Sequence, residues 1–243
     1  MIHLQGILFD EKSSFLQGPA KAPPLLREAY HSPSANYYAE SGLEVGPGVF
    51  RDMGDFHPGA YQYIEAITRD NLKGASGLIS FGGDHSVSYP IFKAIHEAFG
   101  PVEILHIDAH ADLYDRFEGD PFSHACPFAR ILEDQLASRL VQVGVRTLNT
   151  HQREQVSKYG VEVVEMRHLD PSRLPAFTKP LYLSVDMDAL DPAFAPGVSH
   201  HEPGGLTTRE LLHILHSVRG PIVGAGIVEY NPDRDRNGMV LGE

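Results

Sequence analysis

The chain holds one cysteine, Cys126, and no tryptophan in 243 residues. A single thiol cannot close an internal disulfide, and a cysteine-poor chain of this kind is expected in the cytoplasm. Long hydrophobic runs are missing as well. No stretch of about 18 apolar residues occurs, and the opening MIHLQGILFDEKSSF is acidic and polar where a secretory signal needs a basic segment followed by an apolar one. The expectation is a protein with no membrane span and no secretory signal. Basic residues are scarce, with Lys+Arg at 20 against Asp+Glu at 32 and a formal net charge of −12. That balance repels phosphate backbones and attracts small cations, which argues against nucleic acid as a partner. Repeats and linkers are absent, and the 23 glycines and 18 prolines are scattered as punctuation, so residues 1–243 read as a single domain. Neither GASG (74–77) nor GPGVF (46–50) has the Lys and Ser/Thr of a phosphate loop, so nucleotide binding is not expected. A chain this long buries roughly three quarters of its unfolded surface, so a metal would serve chemistry and not folding.

Against these absences stand seven apolar, β-branched runs at 7–9, 77–81, 102–108, 140–145, 161–166, 181–188 and 221–230. Helix-like periodicity lies between them, near 57–71, 87–99, 125–137, 150–159 and 207–218. Strands alternating with helices predict a mainly parallel sheet covered on both faces, a three-layer α/β/α sandwich. Ligands of such sheets bind beyond the C-terminal strand ends, and several ends here are densely polar.

HIDAHADLYD (106–115) ends an apolar strand with Asp108, His110 and Asp112, whose i, i+2, i+4 spacing lets them converge on one point while the backbone is still extended or only beginning to turn. LYLSVDMDALDP (181–192) delivers Asp186 and Asp188 at the same spacing, and GLISFGGDHS (77–86) ends in two glycines, Asp84 and His85. Taken singly, such residues suit ordinary roles: Asp84 and Ser86 as helix caps, Asp191-Pro192 as a turn. Four carboxylates gathered at one sheet edge would repel severely unless cations offset them, and two divalent ions balance four negative charges. A set rich in oxygen, with two imidazoles and no thiolate, favours manganese, with zinc, cobalt or nickel as substitutes. Paired metals lower the pKa of a shared water and equip a hydrolase.

FGGDHS (81–86), DAHAD (108–112) and SVDMDALDPAFAPGVSHHEPGG (184–205) resemble, in order, the three metal-binding signatures of the ureohydrolase family of arginases and agmatinases. The resemblance runs from FDEKSSFLQGPAKAPPLLREA (9–29) to VEYNP (228–232), and the wording of SHACPFARI (123–131) is similar to bacterial agmatinase-like proteins and plant-type arginases. It implies that His85 and Asp112 bind one manganese, that His110 and Asp188 bind the other, and that Asp108 and Asp186 bridge both. It implies a catalytic set of His124, Glu229 and Asp112, with His124 carrying protons to the leaving amine and Glu229 pairing with a substrate guanidinium. It also implies a homo-oligomer, trimer or hexamer. Independent chemistry agrees on the last two side chains: a planar guanidinium needs a carboxylate matching its N–H fork, and an amine leaving group needs a proton carrier.

Other polar residues keep plain readings. His200 and His201 read as loop or rim residues, Glu202 receives no catalytic role, and Cys126 reads as packing. Thr147, Asn149 and Gln152 stand where animal arginases carry acidic residues, and the 113–123 loop lacks their carboxylate-capturing pattern. Agmatine, hydrolysed to putrescine and urea, is therefore the leading expected substrate, with L-arginine or another guanidino acid as the alternative and Arg116 as a surface ion-pair residue. The sequence stops fourteen residues after Glu229, short of a helix expected for the closing layer, which suggests a truncated chain or a gap covered by an oligomeric partner. Two rivals remain: a one-zinc amide hydrolase of the same fold, disfavoured by the second pair His85 and Asp112, and an inactive metal-binding interaction subunit, disfavoured by the complete ligand set.

Overall fold

Valine and isoleucine restrict χ1 and pack well on a pleated surface, so runs such as GLISF and VEILHI settle as strands, and the amphipathic stretches between them cover the sheet as helices. A computed structural model describes residues 1–46, 48–171 and 173–242; Pro47 of the GPGVF segment, Ser172 and the final Glu243 lie outside the described residues. The strands are β1 (Ile2–Ile7), β2 (Phe50–Phe56), β3 (Gly77–Phe81), β4 (Val102–Ile107), β5 (Ala137–Val145), β6 (Glu162–Glu165), β7 (Leu181–Asp186) and β8 (Ile222–Val228). The helices are α1 (Ala22–Tyr30), α2 (Tyr63–Asn71), α3 (Ser88–Phe99), α4 (Pro127–Glu133), α5 (Thr150–Tyr159) and α6 (Thr208–Ser217). One eight-stranded sheet in the order β2-β1-β3-β8-β7-β4-β5-β6, with every pair parallel, forms the middle layer of the expected α/β/α sandwich.

Each face of the sheet buries its own apolar cluster. Ile104, Leu140 and Tyr182 meet Ile64 of α2, Ile91 and Phe92 of α3 and Phe128 of α4 on one side. Leu105, Ile107, Val141, Val143, Leu183 and Val185 meet Ala22 of α1 and Leu211 and Ile214 of α6 on the other. The chain passes from β3 to β4 across a gap later filled by β8 and β7, so the polar ends of β3, β8, β7 and β4 lie side by side.

Three elements differ from the sequence reading. β1 occupies Ile2–Ile7, so the 7–9 run overlaps only its last residue. β2 (FRDMGDF) is a charged edge strand paired only with β1 and half exposed, so it lacks the apolar run that marks a central strand. α1 lies outside the helix-like stretches of the sequence and carries Pro23 and Pro24 in its first turn, where proline lacks only an N–H that has no helical partner anyway. Among the described residues no helix is long and apolar enough to cross a membrane.

Candidate metal centre

His85 opens a short 3₁₀ turn after β3 (His85–Val87), capped by Asp84, whose carboxylate accepts from Ser86 N at 3.0 Å. The chain reaches this turn through Gly83, where a Cβ would lie 1.8 Å from the Phe9 carbonyl oxygen, so only glycine fits. Asp84 also accepts from Lys12 N (2.9 Å), tying the 12–14 loop to the site, and burial together with Glu229 pushes its carboxyl up to about 7. The capping role read from the sequence is the one it performs.

β4 stops at Ile107, so Asp108, His110 and Asp112 keep their i, i+2, i+4 spacing on an irregular stretch where the chain is already turning, the second of the two backbone courses the spacing allowed. The cause is local. Asp108 Oδ1 accepts from His110 N at 2.6 Å, bending the chain over buried Ala109 and Ala111, and Asp112 takes a left-handed φ of 49°. On the neighbouring strand, Asp186 Oδ1 accepts from Asp188 N (2.8 Å) and starts a 3₁₀ turn, Met187–Ala189, that swings Asp188 in beside it.

All six residues meet. His85 Nδ1 lies 3.2 Å from Asp108 Oδ2, 3.0 Å from Asp112 Oδ2 and 3.1 Å from Asp186 Oδ2. His110 Nδ1 lies 3.0 Å from Asp188 Oδ2 and 3.5 Å from Asp108 Oδ1. Asp108 thus turns one oxygen to each histidine, while Asp186 turns Oδ2 to His85 and keeps Oδ1 on the Asp188 amide. His85 Nδ1 is buried without a hydrogen-bond partner of its own, ringed by carboxylate oxygens. An orphaned nitrogen facing hard oxygen donors is the arrangement a divalent cation completes. Its other nitrogen, Nε2, sits 3.0 Å from Ser184 Oγ, a partner suited to hold the ring with Nδ1 free.

The charges show the same need. Burial drives the Asp186 carboxyl well above its ordinary range, and the nearby Asp188 and Asp108 add to the push. Burial lifts Asp188 to about 6 against the pull of His110. Burial would raise Asp108 too, but His106 and the donors on His110 and His85 outweigh it and hold that carboxyl well below the usual range. A second geometrically close set is His85, His106 and Asp108. His106 is no ligand candidate, because both its nitrogens are taken, Nε2 by Asp108 (2.7 Å) and Nδ1 by Gln142 (3.0 Å).

Beside the cluster lies a cavity of about 230 Å³ lined by Asp112, Asp186, Asp188, His110, His124 and Glu229 together with Ser14, Tyr114, Phe117, Thr147, Gln152, His200 and Glu202. Glu229 follows β8 with φ 64°, a left-handed backbone rare for glutamate and held here by its N–H donating to Gly83 O (2.9 Å). Its Oε1 accepts from His85 N (2.9 Å) and lies 2.9 Å from His124 Nδ1, while Oε2 makes no hydrogen bond among the described residues. Burial opposes charge on His124, but the Glu229 carboxylate outweighs it and lifts the imidazole to about 9. Ser14 N donates to His124 Nε2 (3.2 Å), which suits the neutral ring, and Ser14 Oγ at 2.8 Å from the same nitrogen accepts once it is protonated.

Several roles escaped the sequence reading. Glu202 Oε1 lies 3.4 Å from His110 Nε2, placing it against the cluster. Arg146 donates to the carbonyls of Asp188 (2.8 Å) and, through Nε, of Glu202 (2.9 Å), clamping the long third motif. The signal for both was present: a lone arginine closing an apolar strand, and an acidic residue within a signature. His200 lines the cavity and packs its ring against Phe15, His110 and His124. Arg116 is exposed and lies outside the lining. Cys126 is buried, its thiol turned to Asp120 O and pushed up to about 12 by burial.

Comparison with known proteins agrees with this geometry. The model of the arginase family matches residues 1–241. Arginase 2, chloroplastic/mitochondrial, of Arabidopsis thaliana is 46% identical over 96% of this chain and 74% of its own length. An N(1)-aminopropylagmatine ureohydrolase of Thermus thermophilus is 38% identical over 72% of this chain and 61% of its own. The solved arginase from Medicago truncatula superposes with a TM-score of 0.92 at 42% identity, covering 99% of this chain and 82% of that one. With the sheet order, the converging carboxylates and a match over nearly the whole length all in agreement, the chain belongs to the arginase family.

Proposed function

We propose that the protein is a ureohydrolase that holds two divalent cations, manganese by preference, and cleaves a guanidino compound to urea and an amine. The observation that carries this reading is the free Glu229 Oε2 opening on a cavity whose wall is the His–Asp cluster. His85 with Asp112, and His110 with Asp188, would hold one cation each, with Asp108 and Asp186 shared. When bound, such a pair supplies Lewis acidity and an activated water at neutral pH.

The chain's own residues do the rest. Glu229 presents a carboxylate to the planar N–H fork of the guanidinium and fixes it against the cluster, turning an encounter into an oriented reaction. His124, its Nδ1 on Glu229 and its Nε2 on Ser14, stores and delivers the proton the departing amine requires. Phe117 and Tyr114 add aromatic surface to the cavity wall.

We infer L-arginine as the substrate, supported by the identity to plant arginases. The second reading, agmatine, is favoured by one observation: among the described residues no Lys or Arg lines the cavity, so an α-carboxylate beside Thr147 and Gln152 would find no guanidinium or ammonium to pair with. The same reading takes the protein as a cytoplasmic homo-oligomer. Manganese-loaded protein offered L-arginine, agmatine, guanidinobutyrate and guanidinopropionate, with urea measured, ranks these substrates. Urea from none of them would overturn the proposal.

A further inference from the structure

Strand register places a buried polar row directly beneath the metal cluster. His106 of β4 pairs with Gln142 of β5 on one side and Ser184 of β7 on the other. All three are fully buried, and His106 and Ser184 lie two residues before Asp108 and Asp186. Nothing in the sequence motifs accounts for a glutamine at this depth, and its Oε1 is buried with no hydrogen-bond partner among the described residues. A polar side chain left half satisfied in a core is costly, so what its other end does is informative.

Gln142 Nε2 lies 2.6 Å from the Ala111 carbonyl oxygen and 3.0 Å from His106 Nδ1. A carbonyl only accepts, so the atom facing it must be the amide nitrogen, and the remaining amide hydrogen is then aimed at Nδ1. That makes Nδ1 an acceptor. The ring proton must therefore reside on Nε2, which donates to Asp108 Oδ2 at 2.7 Å. Phe128 of α4 stacks on the ring (centroids 3.9 Å apart, planes at 28°), and the His85 ring meets its edge at 5.0 Å, so it cannot swing away. Asp108 Oδ2 is also the oxygen turned to His85 Nδ1.

We propose that Gln142 and His106 are positioning residues: the glutamine fixes the histidine as its Nε2–H tautomer, and the histidine aims the shared carboxylate of Asp108 at the first cation site. The proposal rests on the reading of Asp108 as a metal ligand. Outer partners of this kind orient a ligand and raise its affinity for metal, and their loss typically weakens binding by about 10–100-fold. Gln142 additionally ties the aiming device to the Ala111 carbonyl, one residue from Asp112, so the two ligands of the 108–112 stretch are set against each other by one amide.

The test measures manganese binding by calorimetry in the wild type and in His106→Leu, His106→Gln and Gln142→Leu, with thermal melting recorded for each. Glutamine at 106 can return a donor near the Nε2 position. His106→Leu should weaken the manganese affinity by about 10–100-fold, His106→Gln should recover most of that loss, and Gln142→Leu should fall between them. In parallel, ¹⁵N-histidine spectra of the chelator-treated wild type, with the His106 signal identified by its disappearance in His106→Gln, should show the proton on Nε2. A proton on Nδ1, an unchanged affinity in His106→Leu, or a His106→Gln variant as weak as His106→Leu would overturn the proposal. Should the leucine variant fail to fold, the tautomer and the Gln142→Leu affinity still decide. Failure of the wild type itself to bind manganese would overturn the ligand set beneath, an outcome distinct from normal wild-type binding with unaffected variants.

Discussion

The two faces of the central strands obey different rules. On the α1/α6 side, Leu105, Ile107, Val141, Val143, Leu183 and Val185 are apolar up to the strand ends, and burial alone accounts for them. On the α2–α4 side the same strands begin apolar, with Ile104, Leu140 and Tyr182, then turn polar one rung later at His106, Gln142 and Ser184, and end in acid at Asp108 and Asp186. One face supplies cohesion. The other gives up cohesion for a graded polar column beneath the six-residue His–Asp cluster, and the strained φ of Asp112 and Glu229 lie at its top.

The contrast can be broken deliberately. Asp186→Asn removes a carboxylate turned to His85 while keeping its shape. Urea release should fall by at least about 10³-fold together with bound manganese, measured by metal analysis of the dialysed protein, whereas melting without added metal should hold or rise because a buried repulsion is relieved. Glu229→Gln should cost about 10²–10³-fold in kcat with manganese content intact, since it alters the substrate fork and not the cluster. Concurrent loss of metal would remove Glu229 from its assigned place.

On the apolar face the currency reverses. Leu105→Ala, at a fully buried position, should destabilise the fold by about 2–5 kcal/mol in denaturant titration and leave the manganese affinity of the folded protein unchanged. The smallest effect concerns pH. His124 sits at about 9 against an ordinary 6.5, so its protonation favours the folded form fully below about 6.5, and that contribution is lost as pH rises through 9. His124→Asn should flatten the melting temperature across that window, a difference of roughly 2–4 °C for each kcal/mol removed.

Much of the acidic end of this column was legible in the sequence, because carboxylates and histidines at i, i+2 spacing after apolar runs are conspicuous, and the family signatures name His124 and Glu229. Its lower rungs were not. His106 and Gln142 sit inside VEILHID and LVQVGV, where a polar residue reads as an exception to the run, and only register shows that two exceptions are paired. Arg146 stands out as a lone arginine after an apolar strand, but its clamp on backbone carbonyls and the reach of Ser14 to His124 through a loop amide are contacts that residue type alone does not specify. β2 was missed for the opposite reason, since an edge strand needs no apolar run, and α1 because its prolines stop a helix elsewhere but are harmless in a first turn.

The central claim is that two divalent ions share Asp108 and Asp186. Crystals grown with manganese and measured at its absorption edge should show two anomalous peaks per chain, one beside His85 and one beside His110. A single peak, or peaks remote from these carboxylates, would contradict it.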